Sequence, residues 1–335
     1  MPDQLQHYVP RFLLRRFGQG KKERVWVLDK HTGKQFSFSA SKKSTIAVAA
    51  EYGMYDFEFM GESVTVEPGL ANLESKAAKF IERVILEETL SQTDPLERAT
   101  LANFLAVQMV RTRAIMTTNQ EMFARMAAWL RQEGAPEEFF APDPKVGDGE
   151  NAQKALQARL ICNAATDYAP ALLEKDWVLL KTNQQVPFIM GDHPFTVFNE
   201  VDRGLRGNLG LSVEGIQIYF PLSPTLALAL WCPSIQQQLL EGFVRLDHIA
   251  HTAPHQAGRY VETWKKGIEI VEAIRNGTPL MTQPESVMHF NSLQIGMAER
   301  FLFSCDGDFT LAEDMIRENP AFRYGRRMQE MTGKF

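Results

Sequence analysis

A chain of 335 residues with 44% hydrophobic side chains has ample material for one large core, and a net charge of −5 argues against a surface devoted wholly to nucleic acid. Three cysteines, Cys162, Cys232 and Cys305, stand far apart with no CxxC spacing, which excludes a zinc ribbon or a disulfide framework. No apolar run approaches the roughly 20 residues of a membrane span, and Arg11, Arg15 and Arg16 interrupt any signal-like stretch, so the expectation is a soluble cytoplasmic protein with no membrane partner.

In chain order, the first element is LQHYVPRFLLRRF, residues 5–17, in a basic stretch holding ten Lys or Arg between Met1 and Lys43 against three acids. Phe12, Leu13, Leu14 and Phe17 are too apolar to be left in water. The segment should therefore dock, placing His7 and Tyr8 against the helix that carries Arg111 and the turn that carries Asp192. Residues 24–40 alternate on both sides of a turn at His31–Lys34 and predict a β-hairpin. A central helical block, 68–175, follows. Leu70, Leu73, Ala77, Phe80, Ile81 and Val84 have helical spacing, and Asp94-Pro95 with Glu97 is a strong helix start, extending to about Arg131. An acidic, Pro- and Gly-rich loop spans 132–151, and another helix is expected near 152–173.

From 176 the texture becomes strand-rich. DWVLLKT and VPFIMGD flank one turn, and IQIYFPL and TLALALW flank another at Ser223-Pro224, where Ser223 is better read as a turn residue than as a nucleophile. A glycine-rich loop at 202–210 matches no phosphate-loop or dinucleotide pattern. Helices are expected at about 256–276 and 284–299, then a last strand, RFLFSC. Strand and helix blocks are segregated, so the expected fold is α+β. It comprises an N-terminal segment and hairpin (1–60), the helical block, and a mixed or antiparallel sheet flanked by helices (176–335), in one domain of residues 1–335.

Candidate site residues are polar groups that interrupt apolar patterns. Gln108 and Arg111 share a helix face with Leu101, Phe104 and Leu105. A buried guanidinium needs an acceptor, and Glu74 is the expected partner. Asp192 and His193 follow a strand and precede Pro194, offering either acid–base chemistry or a backbone-capping turn. Asn291 and Gln294 lie one turn apart on the inner face of the 284–299 helix, as ligand contacts or as partners of buried backbone. His248, His251 and His255, with Asp247 nearby, have helical spacing, but Pro254 should break the helix and no HExxH is present, so no metal ligand is assigned.

The motifs HYVPRFLLRRF with VWVLDK, FLAVQMVRTR (104–113), KDWVLL (175–180), PFIMGDHPF (187–195), YFPLSP (219–224) and FNSLQIGMAERFLFS (290–304) run through nearly the whole chain. Together they resemble a bacterial family designated domain of unknown function 4238. The family often has Ser-Asp-Asn-Pro or Ser-Asp-His-Pro where this chain has Gly191-Asp192-His193-Pro194, and often Pro where this chain has Arg113. The resemblance implies no reaction.

The leading expectation is a hydrolase acting on phosphate esters or nucleic acid, with a defence or toxin role open to it. His7, Glu74, Asp192 and His193 would serve catalysis, and Tyr8, Arg11, Gln108, Arg111, Asn291 and Gln294 would hold an anionic substrate, small molecule or nucleic acid. A divalent metal is compatible with it, and no cofactor is identified. The alternative is a non-catalytic ligand- or partner-binding module in which the same residues form a buried structural network.

Overall fold

The computed structural model describes residues 4–40, 48–182, 185–201, 207–252, 255 and 258–327. The architecture is α+β. A five-stranded sheet has the order β12-β7-β11-β10-β9, formed by Leu280–Thr282, Asp176–Thr182, Leu226–Trp231, Gln217–Pro221 and Thr196–Phe198. Only β12 runs parallel to its neighbour. A four-stranded antiparallel sheet has the order β3-β2-β13-β8, formed by Lys34–Ser39, Arg24–Asp29, Phe301–Ser304 and Met190–Gly191. Two short ribbons complete the strands among the described residues: β1 (Leu5–His7) with β4 (Ala50–Tyr52), and β5 (Asp56–Phe59) with β6 (Glu62–Thr65). The hairpins expected at 24–40 and around Ser223 are both present, and the Ser223 hydroxyl accepts from the backbone of Thr225 and Leu226 as a turn residue does.

The helical block holds α2 (Glu67–Glu87), α3 (Pro95–Val110), α4 (Arg113–Gln132), α5 (Gly149–Asp167) and α6 (Ala169–Leu173), after a short α1 (Arg11–Arg16). Helix α3 lies against α2, α5 and α6 and is apolar nearly all round, which is why its polar residues are so conspicuous. Asp94 and Glu97 close a capping box at its start, as the residue types predict.

Three expectations are corrected. The helix from Pro95 does not run on to Arg131: it breaks at Arg111-Thr112, where Thr112 is extended (ψ 160°) and α4 begins. The Tyr55 hydroxyl donates to the Arg111 carbonyl at 3.0 Å, so a tertiary contact stands where the helix would otherwise continue. The strands DWVLLKT and VPFIMGD do not pair with each other. β7 joins the five-stranded sheet, while β8 is drawn to β13, where Asp192 N donates to the Phe301 carbonyl at 2.9 Å. The helix expected near 152–173 is two, divided at Tyr168.

Helix α7 (Pro233–Thr252), of which the sequence shows only the helical spacing of His248 and His251, carries no buried residue and packs chiefly on α8 (Val261–Asn276). Pro254 and residues 202–206 of the glycine-rich loop lie outside the described residues. Helix α9 (Pro284–Met297) contacts β8 and β9, one strand from each large sheet, and so joins them. The described chain ends with α10 (Thr310–Glu318) and a short turn of 3-10 helix. No helix among the described residues is long and apolar enough to cross a membrane.

Candidate functional site

The N-terminal segment docks as its apolar content requires. β1 pairs with β4, and the Tyr8 amide donates to the Ala49 carbonyl at 3.0 Å. Pro10 starts α1, which buries Leu13 and Leu14, with Phe17 buried at its end. Helix α3 holds this segment by its backbone. Gln108 Nε2 donates to the Tyr8 carbonyl at 2.8 Å, and Arg111 Nη2 donates to the His7 carbonyl. Arg111 is 1% exposed. Its Nη1 pairs with Glu74 Oε1 at 2.5 Å and its Nε donates to the Tyr55 hydroxyl at 3.3 Å. Burial opposes the guanidinium charge, but Tyr55 and Glu74 outweigh it and raise the Arg111 pKa. Burial likewise pushes the Tyr55 hydroxyl up to about 12, so it stays a neutral donor. Removing the Glu74 carboxylate leaves the buried guanidinium without its counter-charge, at a cost of about 3–5 kcal/mol.

In front of this anchor lies a groove of about 670 Å³ between the N-terminal segment and α2. His7, Arg11 and Glu74, three of the residues singled out from the sequence, line it with Glu67, Ser75 and Phe12. The His7 imidazole is pushed down to about 4 by burial and by the positive charges of Arg11 and Arg111, so it is neutral at pH 7. Glu67 has the opposite shift: burial raises its pKa, and the neighbouring carboxylates Glu74 and Asp56 add to the rise while Arg111 opposes it. Its Oε2 is shielded from solvent and has no hydrogen-bond partner among the described residues. Glu67 escaped the sequence reading because it lies in the first turn of α2, just before Pro68, where an acid reads as ordinary N-terminal charge.

Asp192 and His193 do not reach this groove. The Asp192 carboxylate is buried and accepts from three consecutive backbone amides: Glu299 at 2.7 Å, Arg300 at 3.0 Å and Phe301 at 3.1 Å. Burial pushes its pKa to about 6, against the pull of those amides and of Lys30. Lys30 is itself fully buried and donates to the Ile295 and Ala298 carbonyls, both at 2.6 Å, at the C-terminal end of α9. Burial lowers its pKa to about 8. His193 faces elsewhere: its Nδ1 meets the Thr112 hydroxyl at 2.6 Å, at the break between α3 and α4, and burial pushes its pKa to about 4. Neighbouring side chains thus diverge, as extended backbone dictates.

Asn291 and Gln294 complete this second centre. Asn291 accepts from Ile189 N at 3.0 Å and donates to the Pro187 carbonyl at 2.9 Å. Gln294 accepts from Gly191 N at 2.9 Å and donates to the Pro194 carbonyl at 2.9 Å. The two amides clamp the segment 187–194 onto α9. A Cβ at Gly191 would stand 2.9 Å from the Ala298 Cβ, so the close approach needs glycine. Tyr8 stands between the two centres: burial first, then the charges of Asp192 and Glu51, hold its hydroxyl well above its usual pKa.

The ten sequence-selected residues therefore divide. His7, Arg11 and Glu74 face an open groove; Tyr8, Gln108 and Arg111 form its rear anchor; Asp192, Asn291 and Gln294 belong to a sealed clamp, and His193 is buried apart from them against Thr112. Among the described residues no group of three or more His, Cys, Asp or Glu is gathered as a metal site, and His248 and His251 lie on the exposed part of α7.

The class defined by these features is an α+β protein whose N-terminal His-Tyr-Val-Pro segment is built into its interior and walls a groove. The chain belongs to the family described as protein of unknown function, DUF4238, whose model matches residues 5–308 and so spans both the groove and the clamp. No curated protein and no solved structure matches the chain.

Proposed function

We propose that the protein is a cytoplasmic ligand-binding module whose recognition face is the groove between the N-terminal segment and α2. The observation that carries this reading is the Glu67 Oε2: an acceptor shielded from water and without a hydrogen-bond partner among the described residues, in a 670 Å³ groove. A shielded acceptor of this kind is costly unless a ligand supplies the donor. The acceptors of Asp192, by contrast, are already committed to backbone amides. Glu74 is already paired with Arg111, so the uncommitted Glu67 carboxylate is what favours a small ligand rich in N–H donors, an amine or guanidine, with its apolar part against Phe12 and Ala71.

Calorimetric titration with putrescine and with argininamide tests this. Saturable binding of at least one, weakened about tenfold or more in Glu67→Gln, is the expected result. Binding unaffected by that substitution, or no binding of either compound, contradicts it.

A second reading keeps the hydrolase of phosphate esters or nucleic acid, with a defence or toxin role. It is favoured by one observation: an imidazole, His7, unprotonated at pH 7, lies beside Arg11 in the same groove, where its ring nitrogen can accept a hydrogen bond from a water next to an anion held by the guanidinium. Turnover of bis(p-nitrophenyl) phosphate that is lost in His7→Ala, with folding retained, would select it over simple binding.

A further inference from the structure

A second cavity of about 420 Å³ lies away from the groove, where the loop between α2 and α3 meets the C-terminal end of α8. Its lining includes Ser91, Thr93, Arg98, Trp177, Arg275 and Asn276. Two guanidinium groups and two hydroxyls face one space, and no carboxylate lines it. The cavity is built rather than incidental. Leu90 N donates to the Gly277 carbonyl at 2.7 Å, and Thr89 Oγ1 donates to the same oxygen at 3.1 Å. Gly277 adopts φ 65°, and a Cβ there would stand 2.6 Å from Ser91 N. Only glycine lets the loop and the helix end approach so closely.

The arginines are held differently. Arg98 lies 4.6 Å over the Trp177 ring and gives one donor to the Lys175 carbonyl at 2.8 Å, which leaves most of its N–H fork available. Asp176, beside Trp177 in the chain, is within electrostatic reach of Arg98 but outside the lining. Arg275, in the last turn of α8, has no hydrogen bond or ion pair among the described residues. The Thr93 Oγ1 is shielded from solvent and has no hydrogen-bond partner there either.

We propose that this cavity binds the phosphoryl group of a small phosphorylated molecule, held between the Arg98 and Arg275 guanidinium groups with the Thr93 hydroxyl as a further donor. Guanidinium forks match phosphoryl oxygens in pairs, and a tetrahedral dianion can take up more donors at once than a carboxylate. The volume falls within the roughly 300–1,000 Å³ of small-ligand pockets, which leaves room beyond the phosphoryl group for a metabolite of modest size. The site shares no residue with the groove, so each can be tested without the other.

Calorimetric titration at constant ionic strength with inorganic phosphate, glycerol 3-phosphate and, as a carboxylate control, acetate tests the proposal. Saturable binding of both phosphates at millimolar concentration or below is expected, with acetate at least tenfold weaker. Arg275→Gln, at an exposed position with no ion pair among the described residues, should weaken phosphate binding tenfold or more, as should the near-isosteric Thr93→Val. Absence of phosphate binding, equal binding of acetate, or Arg275→Gln and Thr93→Val behaving as the unsubstituted protein would each overturn the proposal.

Discussion

At the scale of single residues, the buried histidines make stability depend on pH. His7 and His193 both have folded-state pKa values lowered to about 4, from an unperturbed value near ~6.5. Their contribution is fully present above the unfolded value and is lost as pH falls through about 4, because the unfolded chain takes up those protons first. Asp192 acts in the opposite sense: its pKa is raised to about 6, so its ionisation costs stability as pH rises through that range. Two histidines against one carboxylate give a net loss on acidification. Urea midpoints measured from pH 7 down to pH 4.5 should fall for the unsubstituted protein and fall less steeply for His193→Gln. Parallel curves for the two proteins would show that His193 takes no part.

At the scale of elements, the sequence yields helix starts, hairpins and inward-facing polar residues, because each is written in spacing over a few positions. The capping box at Asp94, the 24–39 hairpin and the inward placement of Gln108 and Arg111 all follow from local pattern. Partners distant in the chain are another matter. Nothing local tells that Tyr55, 56 residues away, meets Arg111 where α3 stops, or that β8 prefers β13 to β7. Helix α7 is hard to read from the sequence because it buries no residue fully, resting half-buried side chains such as Phe243 on α8, and because it directly follows the strand-like LALALWC. The same element scale carries a prediction for the clamp. Gly191→Ala forces a methyl against Ala298 and the Gln294 carbonyl at 2.9–3.0 Å. It should cost about 1–3 kcal/mol in urea unfolding, and a neutral result would mean that α9 can shift away from β8.

For the whole molecule, the polar residues serve two separate ends. The candidate residues lie in the interior or line the groove, but spacing along the chain does not tell whether they converge on one site. The groove residues sit on β1, α1 and α2, while the clamp residues sit on the turn after β8 and on α9. The account's central claim is that the clamp around Asp192 is structural, whereas Glu67 is held in the groove for a ligand at some cost to the free protein. Equilibrium urea unfolding of Asp192→Asn and Glu67→Gln at pH 7, without ligand, tests that division most directly. Asp192→Asn sets an amide NH₂ among the N–H groups of Glu299, Arg300 and Phe301 and should lose about 2–4 kcal/mol. Glu67→Gln removes a partly buried charge whose Oε2 has no hydrogen-bond partner among the described residues, and should be as stable as the unsubstituted protein or more so. A large loss in Glu67→Gln together with none in Asp192→Asn would contradict the account.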